Sequence, residues 1–380
     1  MQKHSKIMHF DDSMRRKESI SNGVFPEDIW VDILVKLPVK SLVRFLVVSK
    51  TWKSLISNNR FAKLHLHRSK GNEQLLRVGI NPKSYFPEIS ILNLHGSRDG
   101  EKNHLLGNIS FPFPIKPFEE VVIDGSCNGL VVLRTKSILG IILCNLATRK
   151  FYHLQLIFNE IYPLVGLCYI TETKDYQIVR IQNNEGKSNI GWIYSLNAFF
   201  WTRLNVDFPY IKVQHGESGM ATIFNECMYW ITDEDGGSIA TFNVKNEAFK
   251  YISLPAFEGL FSVFPRTLGI INGSLSIIIS ISTEKYNLRF EVWKMNEHRD
   301  SWTKLYSFND PFNIIVLPIG SWKDGSIIFK YLTGNREKVC SYDPSNEKLH
   351  HLCMSGSVNL QAINYVESME SVDGEIRRIS

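Results

Sequence analysis

The chain has 380 residues, 44% hydrophobic and 21% charged, with a formal net charge of +5. That is enough apolar material for a full core and enough length for about two domains. It excludes helical membrane spans: the longest apolar run, Leu268 to Ile281, is broken by Asn272-Gly273-Ser274 and reads as two strands and a turn.

Residues 1–21 are polar and charged, with no apolar signal-peptide core. They read as a disordered N-terminus of an intracellular protein, cytoplasmic or nuclear. From Phe25 the pattern changes. Pro26 suits the start of a helix, and Glu27 and Asp28 complement its positive end. Ile29, Trp30, Ile33, Leu34 and Leu37 then share one helical face. Pro38 stops that helix and suits the start of a second, over Val39 to Val48, with Leu42, Phe45, Leu46 and Val48 apolar and Lys40 and Arg44 polar. A third short helix presents Trp52, Leu55 and Ile56 and ends near Ser57-Asn58-Asn59. Leu64-His65-Leu66-His67 alternates as a half-buried strand or linker does. So short a block cannot bury so many large apolar groups alone. Either it docks on the rest of the chain as a helical cap, or another protein covers it.

Phe25-Pro26-x-Asp28, Leu37-Pro38-Val39-Lys40-Ser41-Leu42 and Val48-Ser49-Lys50-x-Trp52 together resemble an F-box in its plant form. Phe25 stands where that family opens with Leu. The resemblance implies a three-helix module that binds a Skp-family adaptor and, through it, a cullin-based ubiquitin ligase. It also implies that Pro26, Leu37, Pro38, Leu42, Val48, Lys50, Trp52 and Leu55 form or support the adaptor-binding surface. Residues 1–70 hold 14 Lys/Arg against 6 Asp/Glu, a net +8. Such a segment can mark nucleic-acid or membrane binding. No aromatic stacking platform or nucleic-acid motif accompanies it, and the family's adaptor is acidic, so neither nucleic acid nor membrane is expected as a partner.

From about Leu75 short runs of Ile, Val, Phe, Tyr and Trp alternate with turn residues, an all-β signature. A weak repeat runs through them: a strand, a polar turn, and a second strand opened by a bulky apolar residue. Phe151, Trp201, Phe249, Trp302 and Leu349 anchor five copies, spaced 50, 48, 53 and 47 residues apart. A fainter copy at Ile89 to Leu106 makes six, and Val358 to Glu367 offers a strand to close a ring. The period points to kelch-sized propeller blades. The kelch double glycine occurs only at Gly236-Gly237, and a β-sandwich is the competing arrangement.

Asp124-Gly125-Ser126-Cys127-Asn128-Gly129-Leu130, Asn145-Leu146-Ala147-Thr148-Arg149-Lys150, Asp175-Tyr176-Gln177-Ile178-Val179-Arg180 and Glu291 to Lys304 resemble, in this order, the F-box-associated interaction domain of plants. The turn at Asn145 lacks that family's proline. The expected fold is therefore α+β and multidomain: a three-helix F-box over 22–68, a linker over 69–74, a six-bladed kelch-like β-propeller over 75–368, and a C-terminal tail over 369–380.

Chemistry is not indicated. There is no G-x-S-x-G elbow and no phosphate loop. The six cysteines are scattered without a C-x-x-C pair and read as reduced core thiols. His350-His351-x-Cys353 lacks further metal ligands nearby in sequence, and Asp233-x-Asp235-x-Gly237 would place Val244 at the twelfth position of a calcium loop. No catalytic residue, cofactor or metal is expected. The implied role is a non-catalytic substrate receptor of a Skp–cullin–F-box ligase, its target unspecified. A ligand- or glycan-binding propeller with an incidental cap is the alternative from another class. Within the first class, Asn364-Tyr365-Val366-Glu367-Ser368-Met369 resembles the ending of S-locus F-box proteins, which recognise pistil ribonucleases.

Overall fold

A computed structural model describes residues 26–371, apart from 71, 73, 94–103, 112, 136–139, 156–163, 183–188, 207, 209–210, 212–218, 233–236, 257–262, 285–286, 297–300, 310–315, 322–324 and 335. Residues 1–21, Phe25, Asp233, Asp235, Gly236 and the Cys353 side chain lie outside the described set.

Four helices come first: α1 Glu27–Leu34, α2 Val39–Phe45, α3 Lys50–Ile56 and α4 Asn59–Ser69. Both prolines sit one residue before the helix, at the N-cap of α1 and α2. The second helix ends at Phe45 rather than Val48, which leaves 46–48 in a turn. The third is capped by Ser49, whose hydroxyl accepts from the Trp52 amide at 3.1 Å. The strand or linker expected at Leu64 to His67 is instead α4. Phe61, Ala62, His65 and Leu66 bury a helical stripe there, and Asn58 caps its start.

The rest is strand. Blade two contains β4 Val121–Cys127, β5 Leu130–Thr135, β6 Ile141–Asn145 and β7 Lys150–Leu154. Blade three contains β8 Leu164–Ile170, β9 Asp175–Ile181, β10 Gly191–Ser195 and β11 Phe200–Arg203. Blade four contains β12 Thr222–Phe224, β13 Cys227–Thr232, β14 Ser238–Asn243 and β15 Ala248–Ser253. Blade five contains β16 Val263–Ile271, β17 Ser274–Glu284, β18 Asn287–Met295 and β19 Trp302–Asn309. Each of these sheets has four antiparallel strands in sequence order. A seven-stranded sheet, in the order β20-β21-β22-β23-β1-β2-β3, supplies the other two blades. Its members are β20 Val316–Ser321, β21 Ile327–Thr333, β22 Arg336–Asp343, β23 Lys348–Tyr365, β1 Gln74–Ile80, β2 Pro87–Asn93 and β3 His104–Ile109.

The long β23 joins two blades. Its first part pairs with β22 as the outer strand of blade six. Its last part, Val358 to Tyr365, pairs with β1 as the inner strand of blade one. The segment expected to close the ring does so, and no blade-one edge is left open at the axis. A separate hydrophobic cluster fills each of the six seams between neighbouring blades. Six radial seams require a ring; a sandwich would have one interior.

The repeat anchors fall on one structural position. Phe151, Trp201, Phe249, Trp302 and Leu349 are the first or second residues of the outer strands, paired across to Cys144, Tyr194, Phe242, Met295 and Tyr342. The turns before Phe151, Trp201, Phe249 and Leu349 share a mechanism. Asn145, Ser195, Asn243 and Asp343 each accept an amide two or three residues on. Four residues after each, Arg149, Phe199, Glu247 and Glu347 take left-handed backbone.

Candidate docking surfaces

The helical block has a sealed side and an open side. Leu34, Val39, Leu42, Leu55, Ile56, Phe61 and Ala62 form its core. Trp52 lies between Trp30 and Phe45, with ring centroids at 5.2 and 5.0 Å. Of the residues predicted to make the adaptor surface, Leu42 and Leu55 are buried in this core. Leu37 and Trp52 are half-buried, and Pro26, Pro38, Val48 and Lys50 are exposed. Ile29, Ile33 and Val47 are exposed as well, at 41, 44 and 88%, with Val48 at 60%. Sequence spacing marked Ile29 and Ile33 only as part of the first helical face. Val47 was missed, because it becomes accessible only where α2 stops short.

The sealed side is closed by the far end of the chain. Met369 packs into the helical core, and Ala147 from the β6–β7 turn touches the same cluster. The Asn145 amide donates to the carbonyls of Ser368 and Glu370, on either side of Met369. The Ser368 hydroxyl donates to the Asn128 carbonyl at 2.6 Å, and Lys150 reaches the Ser371 hydroxyl at 3.3 Å. Asn128 and Gly129 form a tight β4–β5 turn with φ of 52° and 85°. A Cβ on Gly129 would overlap the Ser368 side chain, so only glycine lets the C-terminal segment pass. Glu367 is half-buried, and desolvation raises its carboxyl above its ordinary value, with the Lys40 charge pulling the other way. On the helical side, His65 Nε2 donates to the Leu37 carbonyl at 2.9 Å, and burial lowers the His65 pKa. Residues 368–371 thus hold helices and propeller together.

The description "F-box associated beta propeller domain" matches residues 106–371, and "F-box domain" matches 24–64. The chain belongs to the F-box-associated β-propeller family. Its relatives in Arabidopsis thaliana include F-box/kelch-repeat protein At3g23880, 27% identical over 88% of this chain and 92% of that one. Putative F-box/kelch-repeat protein At1g12870 is 24% identical over 75% and 71%, and F-box protein CPR1 is 23% identical over 87% and 84%.

Within this F-box protein the family-like motifs are architectural. Asp124 is fully buried and forked by Arg134, Nε to Oδ2 at 2.8 Å and Nη2 to Oδ1 at 3.0 Å. Asp175 accepts from the Ser195 hydroxyl and the Asn197 amide, tying two turns of blade three. Glu291 takes Arg289, Lys304 and the Trp293 indole. Of the S-locus-like ending, Asn364 to Met369, Asn364 and Tyr365 finish the closing strand and Ser368 clasps Asn128. Those residues are thereby explained without reference to a particular target.

Nucleophilic chemistry finds little footing among the described residues. Cys127, Cys144, Cys168, Cys227 and Cys340 are free thiols, and burial pushes Cys127 up to about 12. His351 bonds the Tyr331 hydroxyl at 3.2 Å. No cluster of three or more His, Cys, Asp or Glu suited to a metal occurs among the described residues.

Proposed function

We propose that this F-box protein is the substrate-receptor subunit of a Skp–cullin–F-box ubiquitin ligase, working in the cytoplasm or nucleus. The observation that carries the reading is the asymmetry of the helical block. One side is sealed on the propeller by Met369, while Ile29, Ile33, Val47 and Val48 remain in water. Exposed apolar patches that internal packing does not use mark protein-binding surfaces. The Skp adaptor covers that side, with Leu42 and Leu55 holding its shape from beneath and Lys50 beside it.

The propeller binds the target protein. Its role is effective concentration: it holds the target near ubiquitin-transfer machinery supplied by the partners. A rigid join between F-box and propeller serves that role, because a fixed geometry raises local concentration more than a slack tether does.

Mixing the purified chain with a plant Skp adaptor tests the reading. Co-elution on gel filtration is expected. Separate elution at micromolar concentrations overturns it.

A further inference from the structure

Strand direction separates the two ends of the propeller. β1 enters from α4 at Gln74, opposite Tyr365, and leaves at Ile80, opposite Val358. A strand of that length spans about 20 Å. The β1–β2 turn at 81–86 and the β3–β4 connection at 110–120 therefore lie on the face away from the F-box.

Three aromatic side chains stand out from that face. Tyr85, Phe86 and Phe118 are 49, 43 and 69% exposed. Tyr85 and Phe118 stack, with ring centroids 4.7 Å apart and planes at 23°. Both have φ of 60°, a left-handed backbone that bulky residues avoid. The loops are built to hold it. The Phe118 amide donates to the Tyr85 carbonyl at 2.7 Å. Asn81 accepts the amides of Lys83 and Ser84, and its backbone pairs with Phe86 and Tyr85. Strain maintained by supporting bonds, with the rings turned to water, is a pattern of binding sites rather than of cores.

The exposed charges of the two loops are both positive. Lys83 and Lys116 are exposed, one in each loop. The carboxylates nearest in sequence, Glu88 at the start of β2 and Glu119 and Glu120 in the second loop, are partly or fully covered. Glu88 accepts from Asn81 and faces the Arg77 charge, Glu119 is buried, and half-buried Glu120 acts on Arg134. A ligand here meets apolar rings flanked by positive charge. A second copy would bring the same lysines against them, which is repulsive.

We propose that Tyr85, Phe86 and Phe118, with Lys83 and Lys116, form a docking patch for a target-protein segment carrying a large apolar side chain between acidic residues. This rests on the receptor reading above, and names the class of segment the receptor takes. The aromatic groups supply the anchor and the lysines the selection.

The test uses the full chain and fluorescein-labelled heptapeptides. The probe has one tryptophan with two acidic residues on each side. The controls have basic flanks, or serine in place of the tryptophan. Anisotropy should show the probe binding at least tenfold more tightly than either control. Tyr85→Asn with Phe118→Asn should abolish that preference with an unchanged or higher Tm, because asparagine tolerates the left-handed backbone. Lys83→Glu with Lys116→Glu should invert the preference for acidic over basic flanks. Equal binding of all three peptides, no binding of any, or a preference that survives the asparagine pair overturns the proposal. So does self-association of the wild type that the asparagine pair abolishes, since the patch would then serve a second copy. Skp binding is measured on the same variants and should be unchanged. If the wild-type chain does not bind Skp, the receptor reading fails, while the peptide result still decides the patch.

Discussion

The Asn145 side-chain amide donates to the Ser368 carbonyl at 3.0 Å, and so ties the outer turn of blade two to the chain's C-terminal segment. Its second bond, to the Glu370 carbonyl at 2.8 Å, brackets Met369, whose side chain enters the F-box core. The strand that closes the propeller therefore runs directly into the contact that seats the F-box. Ring closure and domain orientation are parts of one device.

Asn145→Ala should loosen that device. Asn145 is 1% exposed, and its loss leaves two carbonyls and the Thr148 amide without the partner they have now. Stranded buried polar groups cost roughly 1–3 kcal/mol each, partly recovered by relaxation, so a loss of about 2–4 kcal/mol is expected. Urea unfolding measures it, and limited proteolysis should show earlier cleavage between F-box and propeller. A change within about 0.5 kcal/mol, the scatter of ordinary surface substitutions, would contradict the clasp.

The two sides of the F-box should respond differently to substitution. Leu42 is fully buried, and Leu42→Ala should cost about 2–5 kcal/mol in stability. Val48 is 60% exposed; Val48→Glu should leave Tm nearly unchanged yet weaken the adaptor complex at least tenfold. Leu37→Ala with Pro38→Ala should weaken the same complex without unfolding the β domain. Pull-down titration beside circular dichroism separates these outcomes. A Val48→Glu protein that binds the adaptor normally would move the interface elsewhere.

Buried His65 and half-buried Glu367 give opposite pH dependences. His65 donates from Nε2 to the Leu37 carbonyl, and burial lowers its pKa from the ordinary 6.5. The unfolded chain then binds more protons, so this contribution is complete above pH 6.5 and is lost as pH falls through the folded value. Glu367 is the reverse: burial raises it above 4.5, so its contribution is complete below pH 4.5 and is lost as pH rises through the folded value. Glu367→Gln should therefore raise Tm at pH 7–8 relative to wild type, and His65→Gln should flatten the fall in Tm below pH 6.5. Melting curves from pH 5 to 8 check both; a Glu367→Gln variant less stable than wild type at pH 8 would reverse the assignment.

Blades two, three, four and six were legible because a bulky residue of the outer strand follows, at a fixed distance, an Asn, Ser or Asp that folds the turn. Val358 to Tyr365 was legible as the closing strand because it is one more β run after the last complete unit. The helix α4 was not, because counting His65 as polar produces strand-like alternation. Once His65 is buried on the Leu37 carbonyl, Phe61, Ala62, His65 and Leu66 form a helical stripe. A further signal was present and unread: glycines at 125, 166 and 269 on the inner strands. A Cβ there would meet the Leu167 amide at 3.2 Å, the Met228 sulfur at 2.6 Å or the Ser321 hydroxyl at 2.8 Å, because strands crowd at the axis. The split of the adaptor-surface candidates into buried and exposed could not be read from spacing either. The cluster that buries Leu42 includes Met369, more than three hundred residues along the sequence.

Ring closure by a terminal strand makes a last prediction. A chain ending at Ser357 loses the inner strand of blade one, including Leu360, Ala362 and Tyr365, all buried, and Met369 with them. β1 then presents an open edge, and the seams beside blade one lose packing on both sides. This protein should aggregate, whereas a chain ending at Ser371, which keeps the contacts of Ser368, Met369, Glu370 and Ser371, should still give a cooperative melt. If the strand acts as a separable closure, a synthetic peptide of residues 358–371 should bind the shortened protein saturably, restore a cooperative melt and protect the F-box from proteolysis. A shortened chain that stays monomeric with an unaltered melt would show that the ring does not depend on this strand. Aggregation that the peptide does not reverse would show that closure must form during folding rather than after it.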